Sequence, residues 1–72
     1  MSLGEDRVRI KFNPSDNSLV SQIKQKSAEL IDLCEKSKAS DPSSEGIRLW
    51  ALAQTHYEDA AMWAVKAATT RI

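Results

Sequence analysis

Apolar positions fall into two runs of helical spacing with one polar break between them. In the first run Val20, Ile23, Leu30, Ile31 and Cys34 form one stripe, with small Ser27 and Ala28 in its gap. Pro14 turns Asn13 away from the helical region, and Ser15, Asp16, Asn17 and Ser18 are all N-cap types. The spacing predicts helix one over 16–38. The break is SKASDPSS, where Pro42 blocks helix continuation and Ser43 or Ser44 can cap a second helix. Helix two is predicted over 44–70. So short a connection joins antiparallel neighbours. Ahead of helix one, Val8, Ile10 and Phe12 alternate with Arg7, Arg9 and Lys11, the period of a strand. The prediction there is a short extended arm, preceded by a flexible segment over 1–6. Its basic edge is either a solvated surface or a row that meets a phosphate.

The stretch over 49–70 is rich in Ala and holds both tryptophans, the only tyrosine and the only histidine. Trp63 and Ala60 share one face, and Trp50, Tyr57, Ala61 and Ala64 the next. One partner helix covers only one side, so a helix this broadly apolar needs neighbours on several sides. The fold class is therefore all-α: an antiparallel helical hairpin with a short extended N-terminal arm, a single domain over 1–72 that assembles as a homo-oligomer. Length points the same way. A chain of 72 residues buries only about 60% of its unfolded surface and needs a staple, a metal or a partner. One cysteine forms no intrachain disulfide and suits a reducing, intracellular setting. No Cys/His cluster has metal-ligand spacing, and no metal or cofactor is expected.

Ten Lys/Arg balance ten Asp/Glu, which argues against DNA, RNA or membrane-surface binding but leaves room for a local basic pocket. No apolar run reaches the length of about 18 residues that a membrane span needs. The start, MSLGEDRVRIKF, has no secretory pattern. Catalytic machinery is hard to assemble. Cys34 lies mid-helix on an apolar stripe, His56 stands on an apolar face, and Glu58 and Asp59 diverge as helical neighbours. No enzyme is expected. Several residues suit a nucleotide. Phe12, Tyr57, Trp50 and Trp63 can stack on bases, although the aromatics of helix two serve equally as packing. Lys24, Arg9 and Arg71 can meet phosphates, and Asn13, Thr69 and Thr70 offer hydrogen bonds.

The order of RVRIKFNPS, a polar turn, VSQIKQKSAELID and AQTHYEDAAMWAVKA resembles the helical-hairpin domain of phage anti-CBASS and anti-Thoeris proteins. The resemblance covers about residues 7 to 71. It implies a sponge in the cytoplasm of the infected bacterium. Such a protein sequesters cyclic dinucleotides, cyclic trinucleotides or cyclic ADP-ribose isomers at subunit interfaces without cleaving them. It further implies a hexamer built from dimers. For the dinucleotide pocket the resemblance assigns Phe12 as the stacking aromatic and Lys24, with Lys26 as alternative, to the phosphate. The basic residues at this pocket also include Arg9. A second, trinucleotide pocket has Asn13, Thr69, Thr70 and Arg71 as candidates. Phe12 lacks the hydroxyl of the tyrosine expected in some relatives. A symmetric dimer presents each residue twice, matching a ligand with two bases and two phosphates. The competing reading is a small oligomeric helical adaptor with no nucleotide ligand.

Overall fold

The computed structural model describes residues 2–8 and 18–70. Three helices make up the described part: α1 (Leu3–Val8), α2 (Leu19–Ala39) and α3 (Ser44–Thr69). The last two pack antiparallel as a hairpin, and α1 lies mainly against α2.

Each boundary has a local cause. Ser18, in extended backbone, starts α2 by accepting the Ser21 amide at 3.1 Å. The helix thus begins at Leu19, later than the expected 16. At its other end the Ser40 amide reaches the Ser37 carbonyl, and Asp41 N–H reaches the Lys38 carbonyl. Ser43 then caps α3, its hydroxyl oxygen accepting the Gly46 amide at 2.9 Å. Asp41 ties this turn together. Its Oδ1 accepts from the Ser43 amide at 2.9 Å and the Ser43 hydroxyl at 3.1 Å, and its Oδ2 accepts Trp50 Nε1–H at 3.0 Å. The Ser43 amide, with help from the Ser43 hydroxyl and Trp50, holds the Asp41 carboxyl below its usual range. Gly46 lets the Asp41 carboxyl come close, since a Cβ there would lie 2.6 Å from its carbon and the carboxyl would have to shift.

The strand expected from Arg7 to Phe12 is overturned at residues 7 and 8, which complete α1; residues 9–12 lie outside the described part. Within the segment over 1–6 that was expected to be flexible, Leu3 to Asp6 are helical. The reason is tertiary. Gly4 is buried against α2 and donates its amide to Asp32 Oδ1 at 2.7 Å. A six-residue helix has no stability of its own and holds its shape by docking.

Few side chains are buried in the single chain. Among the described residues the apolar ones are Ala28, Ile31, Cys34 and Ala61, at the α2–α3 contact. Cys34 is thus a packed core thiol, as its place on the stripe indicates. The buried polar residue among them is Gln54, fully enclosed beside Ile31. Its Nε2 donates to the Ile31 carbonyl at 3.2 Å and to Glu35 Oε1 at 3.1 Å, and its Oε1 accepts from Lys38 Nζ at 3.4 Å. Lys38 and Glu35 close the group with an ion pair at 2.9 Å. Those bonds, from Lys38 first and Gln54 second, lower the Glu35 pKa. The chain measures 46 × 25 × 13 Å, so its shortest dimension is about one helix diameter. Domains bury their apolar faces between two layers, and this one supplies a single layer. Leu33, Leu49, Leu52, Met62 and Trp63 accordingly stay exposed, Trp63 at 58%.

Candidate functional site

All three helices contribute to one cleft of about 660 Å³. Arg7 enters from α1 and Lys24 from α2. From α3 come Thr55, His56, Glu58, Asp59, Ala61, Met62 and Val65. Positions 55, 58, 62 and 65 recur at three and four residues, so they line one side of α3. Ala61 is buried where the cleft floor meets the hairpin core. Its small side chain leaves the depth that a larger residue would fill.

The cleft is mixed in charge. Arg7 and Lys24 are fixed cations, while Glu58 and Asp59 carry the opposite sign. His56 is exposed at the cleft edge. The two ion pairs found among the described residues, Lys38–Glu35 and Arg48–Glu45, lie outside the cleft lining. Arg7 and Lys24 are therefore placed to meet an anion, and Glu58, half-buried, to accept from a donor. A volume of this size falls in the range of small-molecule sites, about 300–1,000 Å³. Such sites enclose about 70–90% of a drug-sized ligand. A cleft in a one-layer chain is open to solvent on one side and needs a cover.

Of the candidates read from sequence, Lys24 lines the cleft and is half-buried. Lys26 is exposed and is absent from the lining, as its position on the opposite side of α2 requires. Thr69 and Thr70 close the end of α3. Thr69 Oγ1–H reaches the carbonyls of Val65 at 2.8 Å and Lys66 at 3.2 Å, and Thr70 Oγ1–H that of Lys66 at 2.7 Å. These hydroxyl protons serve the helix, and the oxygens remain acceptors. Phe12, Arg9, Asn13 and Arg71 lie outside the described residues.

Sequence reasoning left Arg7 open between a solvated edge and a phosphate contact, and did not place it beside Lys24. It also set Glu58 and Asp59 aside as diverging neighbours, although both border the cleft. The recurrence of polar and apolar residues at 55, 58, 62 and 65 was the available signal. Trp63 stands away from the lining, with Lys66 Nζ 5.4 Å from its ring centroid. Among the described residues no cluster of His, Cys, Asp or Glu could hold a metal ion. No described helix is long and apolar enough to cross a membrane.

With this geometry in hand, comparison with known proteins gives one match. The family model described as Acb2/Tad1, hairpin domain, matches residues 5–69. No curated protein and no solved structure matches the chain.

Proposed function

Since the chain belongs to the Acb2/Tad1 hairpin family of anti-CBASS and anti-Thoeris sponges, we propose that it captures cyclic dinucleotides and holds them without cleaving them. The family implies a phage anti-defence, cyclic-nucleotide-sponge role and is one of binding proteins rather than enzymes. The observation that carries the finer reading is the cleft that Arg7 and Lys24 line from different helices. A cyclic dinucleotide is a compact dianion, and two convergent cations with donors suit its phosphates. Phe12 stacks on a base and Arg9 adds charge. Lys24 is preferred over Lys26 for the phosphate because it alone of the two lines the cleft. Asn13, Thr69, Thr70 and Arg71 form the second pocket, for a cyclic trinucleotide.

A second protomer supplies the cover that the open cleft needs. The exposed Leu33, Leu49, Leu52, Met62 and Trp63 are the surface for that association, which builds dimers and then a hexamer. Sequestration in the host cytoplasm then blocks immune signalling by mass action. The test is calorimetric titration of cyclic di-AMP, cyclic di-GMP and a cyclic trinucleotide into the purified protein, with mass spectrometry of the ligand after heat release. Tight binding with intact recovery is expected. No heat with any of them ends the proposal, and a linearised product ends the claim that the ligand is held uncleaved.

A further inference from the structure

Arg7 reaches the cleft from a docked α1, and two residues outside the cleft lining take part in that docking. The Gly4 amide donates to Asp32 Oδ1 at 2.7 Å, across 28 positions of sequence. Gly4 is buried, and a Cβ there would fall 2.6 Å from the Ala28 carbonyl carbon and 2.8 Å from its Cα. Both are backbone atoms of a helix, which cannot move aside as a side-chain tip can. Any residue but glycine therefore pushes α1 off α2. Once displaced, six residues do not remain helical, since an isolated helix of this length is far below the size that is stable in water. Neither Gly4 nor Asp32 lines the cleft.

We infer that Gly4 and Asp32 are positioning residues for the ligand site: they hold α1 so that Arg7 closes one wall of the cleft and meets a ligand phosphate. The inference rests on the cleft being the cyclic-nucleotide site. It adds to the proposed Arg7 contact a latch that sets whether that contact exists. Docking and binding are then coupled, because a ligand that touches Arg7 stabilises the docked α1 and a docked α1 presents Arg7. The latch joins the Gly4–Asp32 hydrogen bond to close backbone packing of Gly4 on Ala28. A six-residue helix that depends on such tertiary contacts opens locally when they are removed.

The experiment uses the full chain and, as probe, whichever of cyclic di-AMP and cyclic di-GMP binds the wild type tighter. Calorimetry is run on wild type, Arg7→Ala, Gly4→Ala, Asp32→Ala, Asp32→Asn and the double variant Gly4→Ala/Arg7→Ala. Hydrogen exchange of the amides of residues 4–8 reports docking, and circular dichroism reports the intact hairpin. Arg7→Ala is expected to weaken binding about tenfold, as loss of a charge-assisted contact. Gly4→Ala and Asp32→Ala should do the same while the α1 amides lose protection. The double variant should be no weaker than either single, because both remove one contact. Asp32→Asn keeps an acceptor oxygen and should stay within about twofold of wild type. Release of α1 with unchanged affinity overturns this inference alone, as does additivity in the double variant. A wild type that binds neither probe overturns the cleft reading and this inference together.

Discussion

Replacing Gln54 by Ala tests the packing logic of the hairpin most directly. The side chain is fully enclosed and makes three hydrogen bonds, at 3.1, 3.2 and 3.4 Å. Each net bond of this kind contributes about 1 kcal/mol, and the longest least. Truncation also leaves a gap beside Ile31 that the two helices fill only in part. Lys38 and Glu35 keep each other at 2.9 Å and remain partly in water, so neither is stranded. The sum is about 2–3 kcal/mol. For a domain of this size about 1 kcal/mol moves Tm by about 4–8 °C, so a drop of about 10–20 °C is expected. Gln54→Leu separates the contributions. It keeps the volume, and the Ile31 carbonyl retains its own helical amide, so the cost falls to about 1 kcal/mol. Thermal melts followed by circular dichroism, at one fixed protomer concentration, give both numbers. An Ala variant within about 3 °C of wild type would refute the claim that this polar residue holds the helices in register. Equal losses for Ala and Leu would move the whole effect to the hydrogen bonds.

Other outcomes are as definite. Lys24→Ala should weaken cyclic dinucleotide binding about tenfold in calorimetry while Lys26→Ala stays within about twofold; the reverse order would move the phosphate contact across α2. Phe12→Ala should weaken the same ligand, and an unchanged affinity would place the stacking elsewhere. Trp63→Glu, at a side chain 58% exposed in the single chain, should shift sedimentation velocity toward smaller species; an unaltered distribution would put Trp63 outside any subunit seam. Acid should destabilise the hairpin. Glu35, Asp41 and Glu45 have folded pKa values below their ordinary 4.5, 3.8 and 4.5. Their stabilisation is complete above those ordinary values and is lost as pH falls through the lower folded ones. Melts should therefore be level from about pH 7 to 5 and decline below about 4.5. A steeper loss between about pH 7 and 5 would assign acid sensitivity to another group.

Much of the hairpin is legible from local chemistry. Pro42 forbids helix continuation and Ser43 accepts the first orphan amide of α3, so the break between helices needs no tertiary information. Cys34 sits on the apolar stripe of α2 and is buried there. The N-terminal helix is a different case. Its last two residues, Arg7 and Val8, begin a stretch that alternates in the period of a strand, and its docking involves Gly4 meeting Ala28 and Asp32 across the chain. No window of neighbouring residues contains that contact. Gln54 was hidden for a related reason, since a lone glutamine on a helix reads as solvated until Ile31, Glu35 and Lys38 surround it. At the cleft, the basic character of Lys24 was visible, and its convergence with Arg7 was not. The exposed Trp63 shows the limit from the other side, because its apolar surface is plain in the sequence while the single chain leaves it uncovered.

The turn around Asp41 has a kinetic consequence. Ser43, Gly46 and Trp50 all engage Asp41 within about ten positions of chain, so closing this corner carries almost no loop entropy. Chains whose first contacts are this local reach their helical form in microseconds to milliseconds. If the protein assembles as proposed, two newly made chains then have to find each other, a step whose rate scales with their concentration. In that case how fast the protein becomes competent is set by how much of it is made rather than by how quickly each copy folds.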